Sequence, residues 1–184
     1  MKRLGDVAEI KRGASPRPIT SPKWFSSKSN VGWVRISDVT KSEKYLEKTE
    51  QYLSDEGISK SRFVQKNNLI MSICATIGKP IYTKFDVCIH DGFVVFQNLQ
   101  INKEYLYYYL DFFQLNWYRY GQPGTQVNLN SEIVSNETIL VPSFEEQTHI
   151  ANFLSLIDEK LVMEKKLSED YEKQKIYLLQ NLFK

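Results

Sequence analysis

Hydrophobic and polar positions along this chain change period several times, and each change predicts an element. In LGDVAEIKRG, residues 4–13, Leu4, Val7, Ala8 and Ile10 fall on one side of a short helix that Gly13 closes. Residues 13–30 hold three prolines, five serines and no period, and read as a loop. WVRIS, 33–37, alternates and predicts a strand, and YLSDEGIS, 52–59, predicts a helical turn ended by Gly57. LIMSICATIGKPIYT, 69–83, predicts a buried strand, a turn at Gly78 to Pro80 and a partner strand. DVCIHDGFVVFQ, 86–97, predicts two short strands around a tight turn at His90-Asp91-Gly92. After Asn102, a good N-cap, Leu106, Tyr109 or Leu110, Phe113 and Trp117 recur every three or four residues, as one face of a helix that Gly121 ends. YGQPGTQVN, 120–128, is a loop, and ETILVP, 137–142, a last strand.

The pattern beyond Val141 differs in kind. Ser143 and Glu146 have capping-box spacing, with Pro142 just outside, and neither Pro nor Gly follows as far as Lys184. A helix over residues 143–184, rising ~1.5 Å per residue, is roughly 60 Å long. Its apolar positions, Ile150, Leu154, Ile157, Leu161, then Leu167, Tyr171, Leu178 and Leu182, recur near every 3.5 to 4 residues apart from two longer gaps, a coiled-coil-like stripe imperfect in the middle, near Glu164, Ser168 and Lys175. Ile150, Phe153 and Leu154 are expected to pack on the helix's own domain. Ile157, Leu161, Leu167, Tyr171, Leu178 and Leu182 are expected to meet a partner helix, because so long a helix is marginal in water without one. The expected fold class is α+β: one mixed α/β domain over residues 1–142, then a long coiled-coil-forming helix over 143–184.

Composition agrees with an ordinary globular chain, 42% hydrophobic and 25% charged. No apolar run reaches the ~18 to 20 residues of a membrane span. Asp6 and Glu9 interrupt what would be a signal core, so a cytoplasmic location is expected. Cys74 and Cys88 lie in apolar surroundings and are expected to be free and buried. The net charge of +2 is uneven: residues 1–28 hold seven Lys or Arg against two acids, whereas 143–184 hold six Lys and eight acids. A basic N-terminal stretch suits a phosphate backbone; it equally suits a solvated loop.

Catalytic motifs are missing. No GxxxxGK[ST] loop, GxGxxG turn or Asn-Pro-Pro-Tyr type of tetrapeptide occurs, and the two Cys and two His lack zinc-ligand spacing. His90-Asp91 could form an acid–base pair, but a turn between apolar strands favours a satisfied structural His. Binding residues are better represented. Arg12, Arg17 and Lys23 lie in the first basic stretch, and Arg119, Gln122, Thr125, Gln126 and Asn128 lie in or beside a glycine-bearing loop. Arg pairs guanine, Gln and Asn pair adenine, and Thr touches a thymine methyl, while Lys and Arg also hold phosphates.

Taken in order, LGDVAEIKRGASPRP, WVRISDV, NNLIMSICATIGKP and GFVVFQ are similar to segments of type I restriction–modification specificity subunits. The most specific stretch is GTQVNLNSEIVSNETILVPSFEEQTHIANFLSLIDEKL, with a Gly-Thr loop, a strand ending in Pro and an E-Q-x-x-I helix start. LSEDYEKQKIYLLQNLF resembles the distal spacer helix, and Cys74-Ala75 stands where the family often has Arg-Ser-Gly-like residues. The whole chain resembles one half of such a subunit: a single target-recognition domain with one spacer helix. The resemblance implies a non-catalytic reader of double-stranded DNA that directs modification (methyltransferase) subunits and a restriction subunit to a split site. It implies no cofactor on this chain, with S-adenosylmethionine, ATP and Mg on the partner subunits. A single spacer helix leads to an expected antiparallel homodimer with a symmetric, interrupted site. The alternatives are a truncated or silent cassette that binds modification subunits without complete site recognition, a stand-alone nucleic-acid-modifying enzyme, and a coiled-coil adaptor.

Overall fold

The computed structural model describes residues 1–120 and 129–183. The chain opens with β1 (Lys2–Arg3), a single helical turn α1 (Leu4–Val7) and β2 (Glu9–Arg12). A 3-10 turn (Pro22–Trp24) leads to β3 (Gly32–Val34), α2 (Ile36–Thr40), β4 (Tyr45–Leu46), β5 (Gln51–Tyr52), α3 (Asp55–Ser59) and β6 (Arg62–Val64). Then come β7 (Leu69–Ser72), β8 (Pro80–Thr83), β9 (Val87–Ile89) and β10 (Phe93–Gln97). Helix α4 (Lys103–Phe113) runs into a 3-10 segment (Gln114–Tyr120), and α5 (Ser131–Asn136), β11 (Thr138–Ile139) and α6 (Phe144–Leu182) complete the described chain.

Two mixed sheets form the body. The larger has strand order β2-β10-β7-β8-β4 and is antiparallel except at β4–β8. The smaller has order β5-β3-β9-β6 and is parallel only at β3–β9. The run LIM in β7 and FVVF in β10 are wholly apolar because the large sheet is covered on both faces. Leu69, Met71, Val94 and Phe96 face the helical layer, with Leu4, Val7, Leu106, Leu110, Trp117 and Ala151. Ile70, Phe93 and Val95 face the smaller sheet and meet Val34, Val64, Val87 and Ile89. A third cluster, Trp24, Trp33, Leu53 and Cys88, covers the outer face of the small sheet.

The expected α+β body and long helix are both present, and the element boundaries need several corrections. The first helix stops at Val7, because Ala8 is extended and residues 9–12 supply β10 with an antiparallel neighbour, Val94 opposite Arg12. Ile10 fits the apolar pattern of either element, so the pairing decides. Gly13 therefore closes no helix; a side chain there would drive into the His90 carbonyl, 2.0 Å from its Cβ position. The strand expected over 33–37 ends at Val34, because the Asp38 carboxylate accepts from Arg35 N at 2.9 Å and starts α2. Gly57 lies inside α3, whose N-cap Ser54 accepts from Gly57 N at 3.2 Å. The last strand is only Thr138–Ile139, the length of its partner β1. The expected apolar face of the fourth helix is buried at Leu106, Leu110, Phe113 and Trp117, although the helix tightens to 3-10 after Phe113. Its expected end at Gly121 lies outside the described residues. Gly78, at φ +77°, lets the 73–79 turn close on Trp117, whose indole would lie 2.2 Å from an added Cβ.

Helix α6 runs for 39 residues, about 58 Å at ~1.5 Å each. Ser143 caps it by accepting from Glu146 N at 3.2 Å. Gln147, only 3% exposed, anchors it to the body. Its Oε1 accepts from Asn102 N at 2.8 Å, and its Nε2 donates to the Pro142 carbonyl at 2.9 Å. Asn102 is itself the N-cap of α4, accepting from Glu104 N and Tyr105 N. One buried amide thus joins the starts of both long helices, and Ile150 and Ala151 pack beneath it.

Gln147→Leu leaves a buried N–H and a carbonyl unpaired and is expected to cost about 2 to 4 kcal/mol. Thermal melting checks this against Glu146→Gln, an exposed neighbour expected to change little; equal midpoints for the two variants would contradict the anchor.

Candidate nucleic-acid interface

The turn between β9 and β10 organises the basic stretch. His90 Nδ1 accepts from Gly92 N at 2.8 Å, which fixes the ring proton on Nε2 when the imidazole is neutral. Burial lowers the His90 pKa below its ordinary value, against the opposing pull of Asp91. The ring packs edge-on to Phe93, centroids 4.8 Å apart. His90 thus makes a structural bond through Nδ1 within its turn. Asp91 gathers the loop that follows β2. Its carbonyl accepts from Arg12 Nε at 2.7 Å, and its carboxylate accepts from Ser15 Oγ at 3.0 Å and from Arg17 at 3.4 Å. Partial burial opposes ionisation of Asp91, but Ser15, its own backbone N–H, His90 and Arg17 together hold its pKa below the usual range.

Arg62 joins this group from β6, donating through Nε to the Arg12 carbonyl at 3.1 Å. Arg12, Arg17 and Arg62 are thus linked into one chain of contacts at the Asp91 turn, with Arg17 alone on its carboxylate. The Arg17 side chain is 82% exposed, and its pair with Asp91 is an exposed one, worth at most about 1 kcal/mol. A phosphate could replace that partner at small cost. Arg62 was not among the residues that the sequence nominated: nothing in SRFV signals that its side chain reaches back over Arg12.

Lys23 lies on another corner, in the 3-10 turn, with Glu56 at 2.8 Å and its ammonium 4.1 Å from the Trp24 ring centre. Both partners are half exposed, so Lys23 too remains available to an anion. Arg119 is differently placed. It pairs with Glu137, whose side chain is 4% exposed, and that carboxylate also accepts from Tyr120 OH at 2.6 Å and Thr138 N at 3.0 Å. The hydrogen bonds to Tyr120 and Glu137 raise the Arg119 pKa further. Arg119 carries a structural duty that its loop position did not announce. Gln122, Thr125, Gln126 and Asn128 lie outside the described residues.

Leu129 and the Asp91 turn share a platform. Leu129 N donates to the Ile73 carbonyl at 2.9 Å, and Ile73 N donates to the Gly92 carbonyl at 2.8 Å. The residue after 121–128 is thus two hydrogen bonds from the turn that holds Arg12 and Arg17. Cys74 sits on this platform, its Sγ 3.8 Å from the Gly92 carbonyl. It is half-buried rather than buried, which corrects the expectation for it; Cys88 is buried, and both thiols are free. Burial raises both pKa values, to about 12 for Cys88, and Asp91 adds to the rise at Cys74. Ala75 has φ +56°, a left-handed backbone that favours glycine.

The second candidate surface is α6. Ile157, Leu161, Leu167, Tyr171, Leu178 and Leu182 are all exposed, from 41% at Ile157 to 71% at Leu182. Ile150 packs on the body as expected, and Leu154 is half-buried. Phe153 does not pack there: it is 65% exposed, because Gln147, Ile150 and Ala151 occupy the inward side. Leu156, Met163 and Tyr177 are also exposed, so the apolar surface is wider than a single seam. Among the described residues no helix is long and apolar enough to cross a membrane.

Residues 1–173 match the model of the type I restriction modification DNA specificity domain. Over its whole length the chain is 25% identical to the type I restriction enzyme MjaIX specificity subunit of Methanocaldococcus jannaschii, covering 43% of that protein. Its fold is similar to a chain from a type I R-M system solved for complex assembly and conformational transition (TM-score 0.74, 18% identity, 94% of this chain and 41% of that one). It is also similar to the HsdS subunit of Thermoanaerobacter tengcongensis (TM-score 0.68, 18% identity, 90% and 38%). The S subunit of M. genitalium matches as well (TM-score 0.63, 16% identity, 94% and 42%). The chain spans about two-fifths of the length of these relatives.

Two outcomes follow from the local chemistry. Because the His90 pKa is lowered in the fold, the unfolded chain binds more protons below the ordinary value of 6.5. Stability therefore rises with pH through that window and is lost as pH falls; the Asp91 contribution is lost only at lower pH, below its ordinary 3.8. Melts between about pH 7 and pH 5 should show a slope that His90→Gln flattens, and an unchanged slope would contradict this. Arg119→Ala leaves the Glu137 carboxylate buried and under-paired, and is expected to destabilise by about 1 to 3 kcal/mol in the same melts.

Proposed function

The chain belongs to the type I restriction–modification DNA specificity family, and from that premise we propose how it works. It is a DNA-recognition component rather than a catalyst, with methyl transfer and cleavage supplied by partner subunits that carry S-adenosylmethionine, ATP and Mg. The body reads one half of a split duplex site. Arg12, Arg17, Arg62 and Lys23 hold phosphates, and the 121–128 segment, with Gln122, Thr125, Gln126 and Asn128, reads base edges. Helix α6 is the spacer. Two copies pair antiparallel through Ile157, Leu161, Leu167, Tyr171, Leu178 and Leu182, setting two identical bodies apart to read a symmetric, interrupted sequence in the cytoplasm. Modification subunits dock against the paired helices.

The observation that carries this reading is the length and exposure of α6. Apolar side chains exposed along some 25 residues of a polar-backed helix are stable in water only when covered. A second copy offers the same stripe, and a twofold axis makes it self-complementary. Rods of about 58 Å, part of each lying on its own body, suit half-sites about one helical turn (~34 Å) apart. A second reading, a cassette that docks modification subunits without complete recognition, keeps the helix and drops the site.

Light scattering of the purified chain at micromolar concentration should return a dimer, and Leu161→Glu with Leu178→Glu a monomer. Adenine methylation mapped in cells with and without the gene should reveal a palindromic split site; methylation independent of this chain would favour the second reading. In the assembled complex, Gln126→Ala should cost ~1 to 3 kcal/mol of discrimination at one base. Lys23→Ala should weaken all sequences alike and reduce the salt slope by roughly one phosphate's share, ~0.9.

A further inference from the structure

A group of polar contacts that belongs neither to the DNA-facing loops nor to the apolar stripe joins α6 to the body some three turns above Gln147. Lys44, between α2 and β4, stands at its centre with a side chain only 14% exposed. Its Nζ donates to Tyr108 OH at 2.7 Å and lies 3.0 Å from Glu104 Oε2 and 3.4 Å from Asp158 Oδ2. Tyr108 OH in turn donates to Asp158 Oδ2 at 2.6 Å and lies 3.2 Å from Ser155 Oγ. The ammonium also sits 4.3 Å from the Tyr108 ring centre and 4.9 Å from that of Tyr107. Burial alone would lower the Lys44 pKa, but the hydrogen bonds to Tyr108 and Glu104 outweigh it and raise the value, so the group stays charged at any physiological pH.

Apolar packing of α6 on the body reaches up to Leu154, one turn below Asp158. An open cleft of about 1090 Å³ separates α6 from the body, with Lys79, Asp111, Leu161 and Val162 among its walls. Farther out, Lys165 pairs with Glu43 of the body at 3.0 Å, but that pair is exposed on both sides and worth little. Packing of Gln147, Ile150, Ala151 and half-buried Leu154 therefore holds the foot of the rod, and the Lys44 group adds a polar hold at Asp158, about 17 Å from Gln147. Leu182 lies roughly three times as far from the foot, so a 1 Å slip at Asp158 moves the tip by about 3 Å. That is close to the ~3.4 Å rise of one base pair.

We propose that Lys44 is a positioning residue which, with Tyr108 and Asp158, fixes the direction of α6 and thereby the separation at which paired bodies meet DNA. The statement about separation rests on α6 being the spacer; the statement about direction does not.

Spin labels at Lys28→Cys on the body and Lys173→Cys on the rod, in a Cys74→Ser background diluted with unlabelled chain, read the direction as a distance distribution. The parent protein should give a narrow distribution, Lys44→Met a broadened or shifted one, and Tyr108→Phe an intermediate one that survives should Lys44→Met fail to fold. Glu172→Gln, beyond the body, should leave it narrow. Distributions identical to the parent in both clamp variants, with only a lower melting temperature, would overturn the proposal and leave Lys44 a mere stabiliser. In the assembled modification complex, the parent should lose about tenfold in methylation when the gap of the mapped site changes by one base pair, and Lys44→Met clearly less, because a rigid rod passes the mismatch to the DNA as deformation. A broadened distribution with the gap preference intact would uphold the clamp and sink the spacer reading.

Discussion

The buried amide of Gln147 is the joint on which the two parts of this molecule depend. It satisfies the backbone N–H of Asn102 and the carbonyl of Pro142 at once, where the cap of one helix meets the start of another. An amide can do this because it carries a donor and an acceptor on one planar group. An apolar side chain would leave both part-buried backbone groups without this partner. Everything beyond, some 35 residues of helix, inherits its origin from this contact. The E-Q-x-x-I start of the helix is thereby explained: Gln147 joins, and Ile150 packs beneath it.

Charge in the body divides into groups held firmly and groups held loosely, and burial of the acidic partner decides which is which. Arg119 faces a carboxylate that is almost wholly buried, so releasing it would strand a charge. Arg17 and Lys23 face carboxylates in contact with water, where a phosphate is as good a partner as the acid. A recognition surface needs the second kind. The body supplies it on the loop that leaves β2, with Arg62 brought alongside by the small sheet.

The two longer helices were readable from local signals, whereas the short α5 (Ser131–Asn136) was not assigned although Asn130 caps it in the same way. Asn102 and Ser143 are N-caps with side-chain acceptors, and the apolar face from Leu106 to Trp117 persists through a change of helix type. The run 69–97 was readable because sheets buried on both faces need continuous apolar strands. Residues 9–12 were misread because Leu4, Val7, Ala8 and Ile10 satisfy helix and strand alike, and a partner 80 or more residues away decides between them. Separations of 50 to 114 residues likewise hid the contacts of Arg62, Asp91 and Lys44, whose roles exist only once remote segments meet. The six expected stripe residues on α6 are all exposed, since that depends on period alone; Phe153 and the wider apolar surface around Leu156, Met163 and Tyr177 were not foreseen.

The central claim is that this helix sets two identical readers apart. The most direct measurement is the distance between Lys28→Cys spin labels on the two bodies of the assembled dimer. Antiparallel rods predict one well-defined separation of roughly 35 to 60 Å. No dipolar signal because the chain is monomeric, or a short distance because the rods lie parallel with the bodies side by side, would contradict it.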